Sequence, residues 1–169
     1  MADARLTITL HEATAEDLPV LRRLMQLYLY DLGTIDGWDI GPDGLFGNAE
    51  RVERYWTEDG RRSFLIGVGG ALAGFVLVRD EAWFAGRGTH EISEFFVLRK
   101  YRRRGVGEQA ARAAFDMFPG RWEVAEMASN TNAQAFWRAV VGRYTGGRFE
   151  EAERSLGTWR GRVQHFHTP

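Results

Sequence analysis

The sequence contains no cysteine, which excludes disulfides, thiolate zinc sites and cysteine nucleophiles together. It also has almost no net charge. Its 22 basic and 23 acidic residues leave a formal charge of −1, so no global field draws the chain onto nucleic acid or an anionic membrane, and any phosphate binding must be local. No apolar run approaches the roughly 20 residues that span a bilayer. The opening stretch MADARLTITLHE lacks the basic-then-apolar pattern of a signal peptide. These absences lead us to expect a soluble cytoplasmic protein with no membrane or nucleic-acid partner. With 44% apolar and 13% aromatic residues, the 169-residue chain can bury a substantial interior, which excludes intrinsic disorder and fits a single domain over residues 1–169.

Thr7 to His11 alternates like a strand, and Thr14-Ala15-Glu16-Asp17 reads as a helix start with acids in its first turn. Leu18, Leu21, Leu24, Met25 and Tyr28 follow at helical spacing to about Asp31. A Gly- and Asp-rich loop comes next, then a short helix from about Asn48 to Trp56. Ser63–Val68 and Ala71–Arg79 form a hairpin across Gly69-Gly70. EISEFFVL, apolar on both parities, is a strand covered on both faces and marks the sheet centre. Val106, Ala110, Ala114 and Met117 define a helix stopped by Pro119-Gly120. WEVAEM is a further strand, Asn130 to Val141 a helix, and two strands around Tyr144–Glu150 and Thr158–His167 close the chain. The order is that of an α+β (mixed α/β) domain.

The richest stretch joins the central strand to the next helix: Arg99-Lys100-Tyr101-Arg102-Arg103-Arg104-Gly105-Val106-Gly107. Glycines at a helix start let the backbone approach a ligand. The free N–H groups there, with the positive end of the helix dipole, suit a pyrophosphate. Five cations within Arg99 to Arg104 add side-chain charge.

VLRKYRRRGVG resembles motif A of the GNAT N-acetyltransferase superfamily, V-x-P-x-x-R/Q-x-x-G-x-G/A, with Arg102, Gly105 and Gly107 in the matching places. SNTNAQAFWRAVV resembles the family's later N-x-x-A-x-x-aromatic segment, with Asn130, Ala133 and Trp137 in register. The resemblance implies a central, mostly antiparallel twisted sheet of six to seven strands flanked by about four helices. It implies acetyl-CoA as co-substrate, with main-chain groups of Arg103, Arg104, Gly105, Val106 and Gly107 on the pyrophosphate, Val97 and Leu98 pairing with pantetheine, Asn130 holding its arm, and Arg102 and Glu108 also among the cofactor-binding residues. Arg99 stands where the family often has proline, and Trp137 where many members have a tyrosine that protonates the departing thiolate. The activity implied is direct acetyl transfer in a ternary complex to an amine of a small molecule or protein. A catalytically silent acyl-CoA-binding or sensor module is the alternative.

Transfer needs a neutral amine, a stabilised oxyanion and a protonated leaving thiolate. Glu94, inside the apolar run Ile92–Leu98, is the first candidate base, and an arginine-paired carboxylate is its other reading. Glu126 on the next strand is the second candidate base. Tyr144 or water is left to act as the acid, and the N–H of Val97 is the oxyanion donor if its strand diverges from its neighbour.

Gly105-Val106-Gly107-Glu108-Gln109-Ala110 also satisfies G-x-G-x-x-A, yet six residues separate the strand from its first glycine, unlike a dinucleotide-binding unit. A solvated charged turn is the plain reading of RKYRRRG. His165 and His167 share a strand face without a third ligand nearby, and no metal site is expected. The long loop carries Trp38 among aspartates, with no basic residue between Arg23 and Arg51. Tyr28, Asp31 and Trp38 are accordingly the candidate acceptor-binding residues, against the reading of an ordinary solvated loop. The aromatic C-terminal strands could pair across a two-fold axis as a homodimer.

Overall fold

The computed structural model describes residues 6–47 and 52–168. Strand β1 (Ile8–Glu12) leads through a short 3-10 turn into α1 (Leu18–Asp36), followed by α2 (Arg54–Thr57), β2 (Arg61–Val68), β3 (Ala71–Ala82) and β4 (Gly86–Val97). Then come α3 (Val106–Met117), β5 (Arg121–Met127), α4 (Thr131–Thr145), β6 (Phe149–Leu156) and β7 (Trp159–His167). The strands form one seven-stranded sheet in the order β1-β2-β3-β4-β5-β7-β6, with β4 at its centre. Every neighbouring pair is antiparallel except β4 and β5, which α3 joins as a parallel crossover.

Side-chain alternation along the strands feeds two cores. Val76, Val78, Ile92, Trp122 and Val124 pack with α3 and α4, where Ala110, Ala114, Phe115 and Val140 form the covering stripe. Phe75, Leu77 and Phe96 face the opposite way, onto Leu21, Leu24, Met25 and Leu29 of α1 and Tyr55 of α2. The hairpin at Gly69-Gly70 forms as its dipeptide predicts, both glycines having positive φ (56° and 80°).

Three boundaries differ from the sequence reading. Helix α1 runs past Asp31 to Asp36 and ends at Gly37 in the left-handed conformation, so the first part of the expected loop is helical. Tyr144 lies on the last turn of α4, two turns beyond Trp137, and the next strand starts only at Phe149, after left-handed Gly146. The turn AGRGTH contributes mostly to β4, which starts at Gly86. Of the helix expected from Asn48, residues 48–51 lie outside the described residues, and α2 occupies Arg54–Thr57.

One irregularity sets up everything around it. β4 and β5 pair only at His90–Trp122, Glu91–Glu123 and Ile92–Val124, although both strands continue. Past that point β4 stays on β3 as far as Val97–Gly74, and β5 stays on β7 as far as Met127–Gly161. The sheet therefore splits between its central strands. A bulge adds Ser93 to β4 at the mouth of the split, since Leu77 faces Glu94 while Val78 faces Ile92.

The outer edge of β4 tolerates no side chain at Gly74: a Cβ there would lie 1.9 Å from the Phe96 carbonyl oxygen. Gly74→Ala is expected to cost about 1–3 kcal/mol, lowering Tm by roughly 2–4 °C per kcal/mol for a chain of this size. An unchanged Tm in calorimetry would show that the β3–β4 lip is looser than its register implies.

Candidate active site

The split opens a cavity of about 480 Å³ between the two halves of the sheet. Ser93, Glu94 and Phe95 line it from β4, and Ala125, Glu126 and Met127 from β5. Met25, Tyr28, Leu29, Leu32 and Trp38 close one side from α1 and the residues after it, with Tyr55 from α2, while Asn130, Ala133 and Trp137 of α4 and its cap close the other.

Glu94 lies opposite Leu77 in the β3–β4 register and so shares the α1 face. Tyr55 stands beside it, its hydroxyl hydrogen-bonded to the hydroxyl of Ser93, which also donates to the Leu77 carbonyl (3.2 Å). Burial raises the Tyr55 phenol above its ordinary range; the Ser93 bond opposes this and the Glu94 charge adds to it. Glu91 is held by Arg79 (Nε to Oε2, 2.7 Å) and by the Trp83 N–H (2.8 Å); burial still pushes its carboxyl up to about 7, against the pull of Arg79.

Glu126 is different in kind. It is 4% exposed, and neither carboxyl oxygen has a hydrogen-bond partner. Burial pushes it up to about 9, with the Glu151 charge adding to the effect and Arg138 and Arg162 opposing it.

At the C-terminal end of β4 the chain turns through Arg99–Tyr101 and enters α3 by way of two left-handed residues, Arg103 (φ 58°) and Gly105 (φ 75°). Arg103 is the only non-glycine with positive φ among the described residues. No side chain caps α3, so its first N–H groups have no partner within the helix. Together with the preceding turn they form a concavity suited to an anion. Gly107 keeps the helix close to α4: a Cβ would lie 3.2 Å from the Phe136 ring.

Residues 24–142 match the model of the Acetyltransferase (GNAT) family. The chain belongs to this family. A comparison with curated proteins finds no match. Solved structures share the GNAT fold at low identity. An acetyltransferase from Thermus thermophilus has TM-score 0.69 at 17% identity, covering 96% of this chain and 98% of the other. A GNAT family acetyltransferase from Streptococcus agalactiae has TM-score 0.73 at 11% identity, covering 97% and 99%. Spermidine N-acetyltransferase from Vibrio cholerae, solved with CoA and spermine, has TM-score 0.65 at 11% identity, covering 95% of each chain.

Within this GNAT frame the structure brings together Glu94, Glu126, Asn130, Tyr28 and Trp38 around one cavity and sets others apart. Asp31 is not a free acid in a loop. It sits on α1 and accepts hydrogen bonds from Arg99 (2.9 Å) and Arg102. Arg102 is committed further, its Nε donating to the Val97 carbonyl (2.6 Å). The Leu98 N–H turns to β3 and donates to Ala73 (2.8 Å), which takes it out of the expected pairing with pantetheine. Arg103 and Arg104 remain exposed beside the start of α3. The Glu108 carboxylate is drawn to Arg143 (2.6 Å), which holds it below the usual range and leaves its main chain as its contribution to the helix start.

Asn130 caps α4, its Oδ1 accepting from the Ala133 N–H (3.1 Å), so its amide nitrogen is what remains for a ligand. Tyr144 does not line the cavity. It packs on Phe115 and Phe166, donates to Asp116 (2.7 Å), and is pushed up by burial and by that bond. His165 binds Glu123 (2.9 Å) and His167 the Thr168 carbonyl (2.8 Å), and among the described residues no group of three or more possible ligands gathers for a metal. No helix among the described residues is long and apolar enough to cross a membrane.

The sequence reading missed Tyr55, Arg79, Glu91, Trp83 and Trp159, all of which line the cavity. Trp83 in the β3–β4 turn and Trp159 at the start of β7 meet at 5.2 Å between ring centroids, a contact created by the insertion of β7 beside β5.

The raised Glu126 carboxyl has a signature in stability. Its pKa moves from an ordinary 4.5 to about 9 on folding, so the folded state holds the proton more tightly. This contribution is fully present below the unfolded value and is lost as pH rises through the folded one. Relative to Glu126→Gln, the wild type should therefore lose Tm progressively between about pH 5 and about pH 9. A difference that stays flat across that window would place the carboxyl in the ordinary range.

Proposed function

We propose that this GNAT protein transfers an acetyl group from acetyl-CoA directly to an amine of a small molecule or protein, in a ternary complex. The observation that carries the reading is the joining of two features at one end of β4: an uncapped helix start behind left-handed Arg103 and Gly105, and a split sheet holding Glu94. The residues fit the co-substrate. N–H groups from Arg103 to Glu108 would receive the diphosphate, the split edge of β4 the pantetheine, and Asn130 the same arm. Acetyl-CoA, when bound, supplies an activated thioester.

The chain's own residues do the rest. N–H groups alternate between the edges of a strand, so the Val97 N–H faces the split because that of Leu98 bonds to β3. It is the donor for a developing oxyanion. Glu94 takes the proton of the attacking amine. Its position on the cavity wall, opposite Leu77 on β4 and near Tyr55, places it as the base. Tyr28, Trp38, Tyr55, Trp83 and Trp159 give the cavity an aromatic wall. That wall suits an acceptor with an apolar body, its ammonium attracted by the ring faces before deprotonation. The low net charge and the absence of an apolar spanning helix among the described residues are consistent with a cytoplasmic enzyme.

Buried Trp137, packed edge-on to Phe95 and Phe136, favours one second reading, a silent acyl-CoA-binding module, because its indole cannot protonate a thiolate. Free-thiol release from acetyl-CoA across an amine panel separates the two.

The expected result is amine-dependent release. Glu94→Gln should lower kcat about 10²- to 10⁴-fold with acetyl-CoA affinity retained in calorimetry. Gly105→Asp should abolish that affinity by placing a carboxylate at the anion site. Full turnover in Glu94→Gln would remove the base assignment, and a wild type that shows only heats of dilution with coenzyme A would remove the whole reading.

A further inference from the structure

We propose that the carboxyl of Glu126 is the proton donor to the departing thiolate, filling the role left open by Trp137. The inference rests on the acetyl-transfer reading above.

The two carboxyls of the split lie on different sides of it. Glu94 faces α1 with Leu77. The β5–β7 register is unbroken from Arg121 to Met127, so Glu126 keeps the parity of Trp122 and Val124, which lie in the α3–α4 core. Glu126 therefore faces α4. That side also holds the start of α3 and Asn130, the groups assigned to the co-substrate, while Tyr28, Trp38 and Tyr55 lie on the other. A base beside the amine and an acid beside the sulfur are what transfer requires.

The other candidates on the cavity wall are occupied or misplaced. Glu91 is tied to Arg79 and to the Trp83 N–H. Tyr55 is bonded to Ser93 on the α1 face, and Tyr144 is outside the cavity and bonded to Asp116. Among the described residues, Glu126 alone combines near-complete burial with two carboxyl oxygens lacking any partner. Such groups are rare in folded proteins and call for an explanation. A ligand atom arriving in the cavity is one that fits its place.

Its neighbours hold the proton in position. Glu151 of β6 disfavours ionisation, while Arg138 of α4 and Arg162 of β7 limit the effect, both being engaged by Glu151 (2.6 Å and 3.1 Å). Glu94 stands across the split. At about 9 the carboxyl is protonated at neutral pH and lies close to an ordinary thiol at about 8.5, which suits transfer between them. In the step, the amine nitrogen bonds to the acetyl carbon and the carbon–sulfur bond breaks. The amine proton goes to Glu94 and the Glu126 proton to sulfur. Glu94 then returns its proton to solvent and Glu126 takes one back.

The test compares wild type with Glu126→Gln, which keeps shape and polarity but cannot give up a proton usefully. With an amine the wild type accepts, kcat should fall about a hundredfold or more. The alkaline limb of the wild-type pH profile should disappear, and acetyl-CoA affinity at neutral pH should stay the same. S-(4-nitrophenyl) thioacetate, whose thiolate leaves without a proton, should narrow the gap between the two proteins. In the ligand-free wild type, ¹³C NMR of labelled glutamate carboxyls should show a resonance titrating near 9, above that of Glu91 at about 7, and missing in the variant. Equal kcat with an unchanged alkaline limb in an active pair would overturn the proton donor and leave the transferase reading standing. So would the absence of a carboxyl titrating near 9 in the wild type, a result independent of whether the variant folds. A wild type that binds acetyl-CoA but releases no thiol with any amine of the panel would overturn both.

Discussion

The separation of β4 from β5 after Ile92 and Val124 is the constraint on which the rest of this molecule depends. Buried main-chain N–H and C=O groups are almost always paired, and a sheet that parts at its centre gives up pairing along two inner edges. The fold limits that loss by holding both outer edges. β3 follows β4 to Val97 and β7 follows β5 to Met127, so each lip stays a strand without its partner. The inner edges are then free to receive an extended ligand by main-chain pairing, the mode by which a peptide adds to an exposed sheet edge. The Ser93 bulge at the mouth adds local twist where the lips diverge, and Tyr55 secures it from α2.

The parallel crossover that creates the split also delivers α3. A helix that follows a strand in such a connection begins at the strand's carboxyl end, where ligands of open α/β sheets bind. The arginines of the connecting turn divide their work. Arg99 and Arg102 fasten the turn to Asp31 of α1, and Arg102 also closes over the Val97 carbonyl and the Phe96 ring. They fix the end of β4 in place. Arg103 and Arg104 stay in solvent at the helix start, outside that anchoring. A run of like charge thus serves as scaffold at one end and anion field at the other.

Local patterns in the sequence carried most of the fold. Alternation and helical stripes located the strands and helices, the Gly69-Gly70 hairpin followed from turn chemistry, and the two-parity apolarity of EISEFFVL placed β4 at the centre. What failed was what local pattern does not encode. Asp31 looked like loop because glycine and aspartate follow it, yet the ion pairs with Arg99 and Arg102 and the packing of Leu29 on the sheet hold it in helix. Tyr144 sits beyond the stretch assigned to α4, but its ring belongs to the same stripe as Trp137 and Val140, which carried the helix on to Gly146. Trp83, Trp159 and the Arg79–Glu91 pair reach the cavity only because β7 inserts beside β5 and a hairpin folds back. Glu126 could be named from its strand, but its isolation from partners exists only in three dimensions.

Two features of this site meet on one side of the split. An indole at position 137, packed against Phe95, Phe115 and Phe136, brings no hydroxyl to the cavity. Glu126, buried on the same side, keeps its proton because the charged form loses more solvation than the neutral one. The side of the split that lacks a phenol thus holds a protonated carboxyl. The aromatic stripe of α4, read in sequence as core, also walls the cavity that this carboxyl lines.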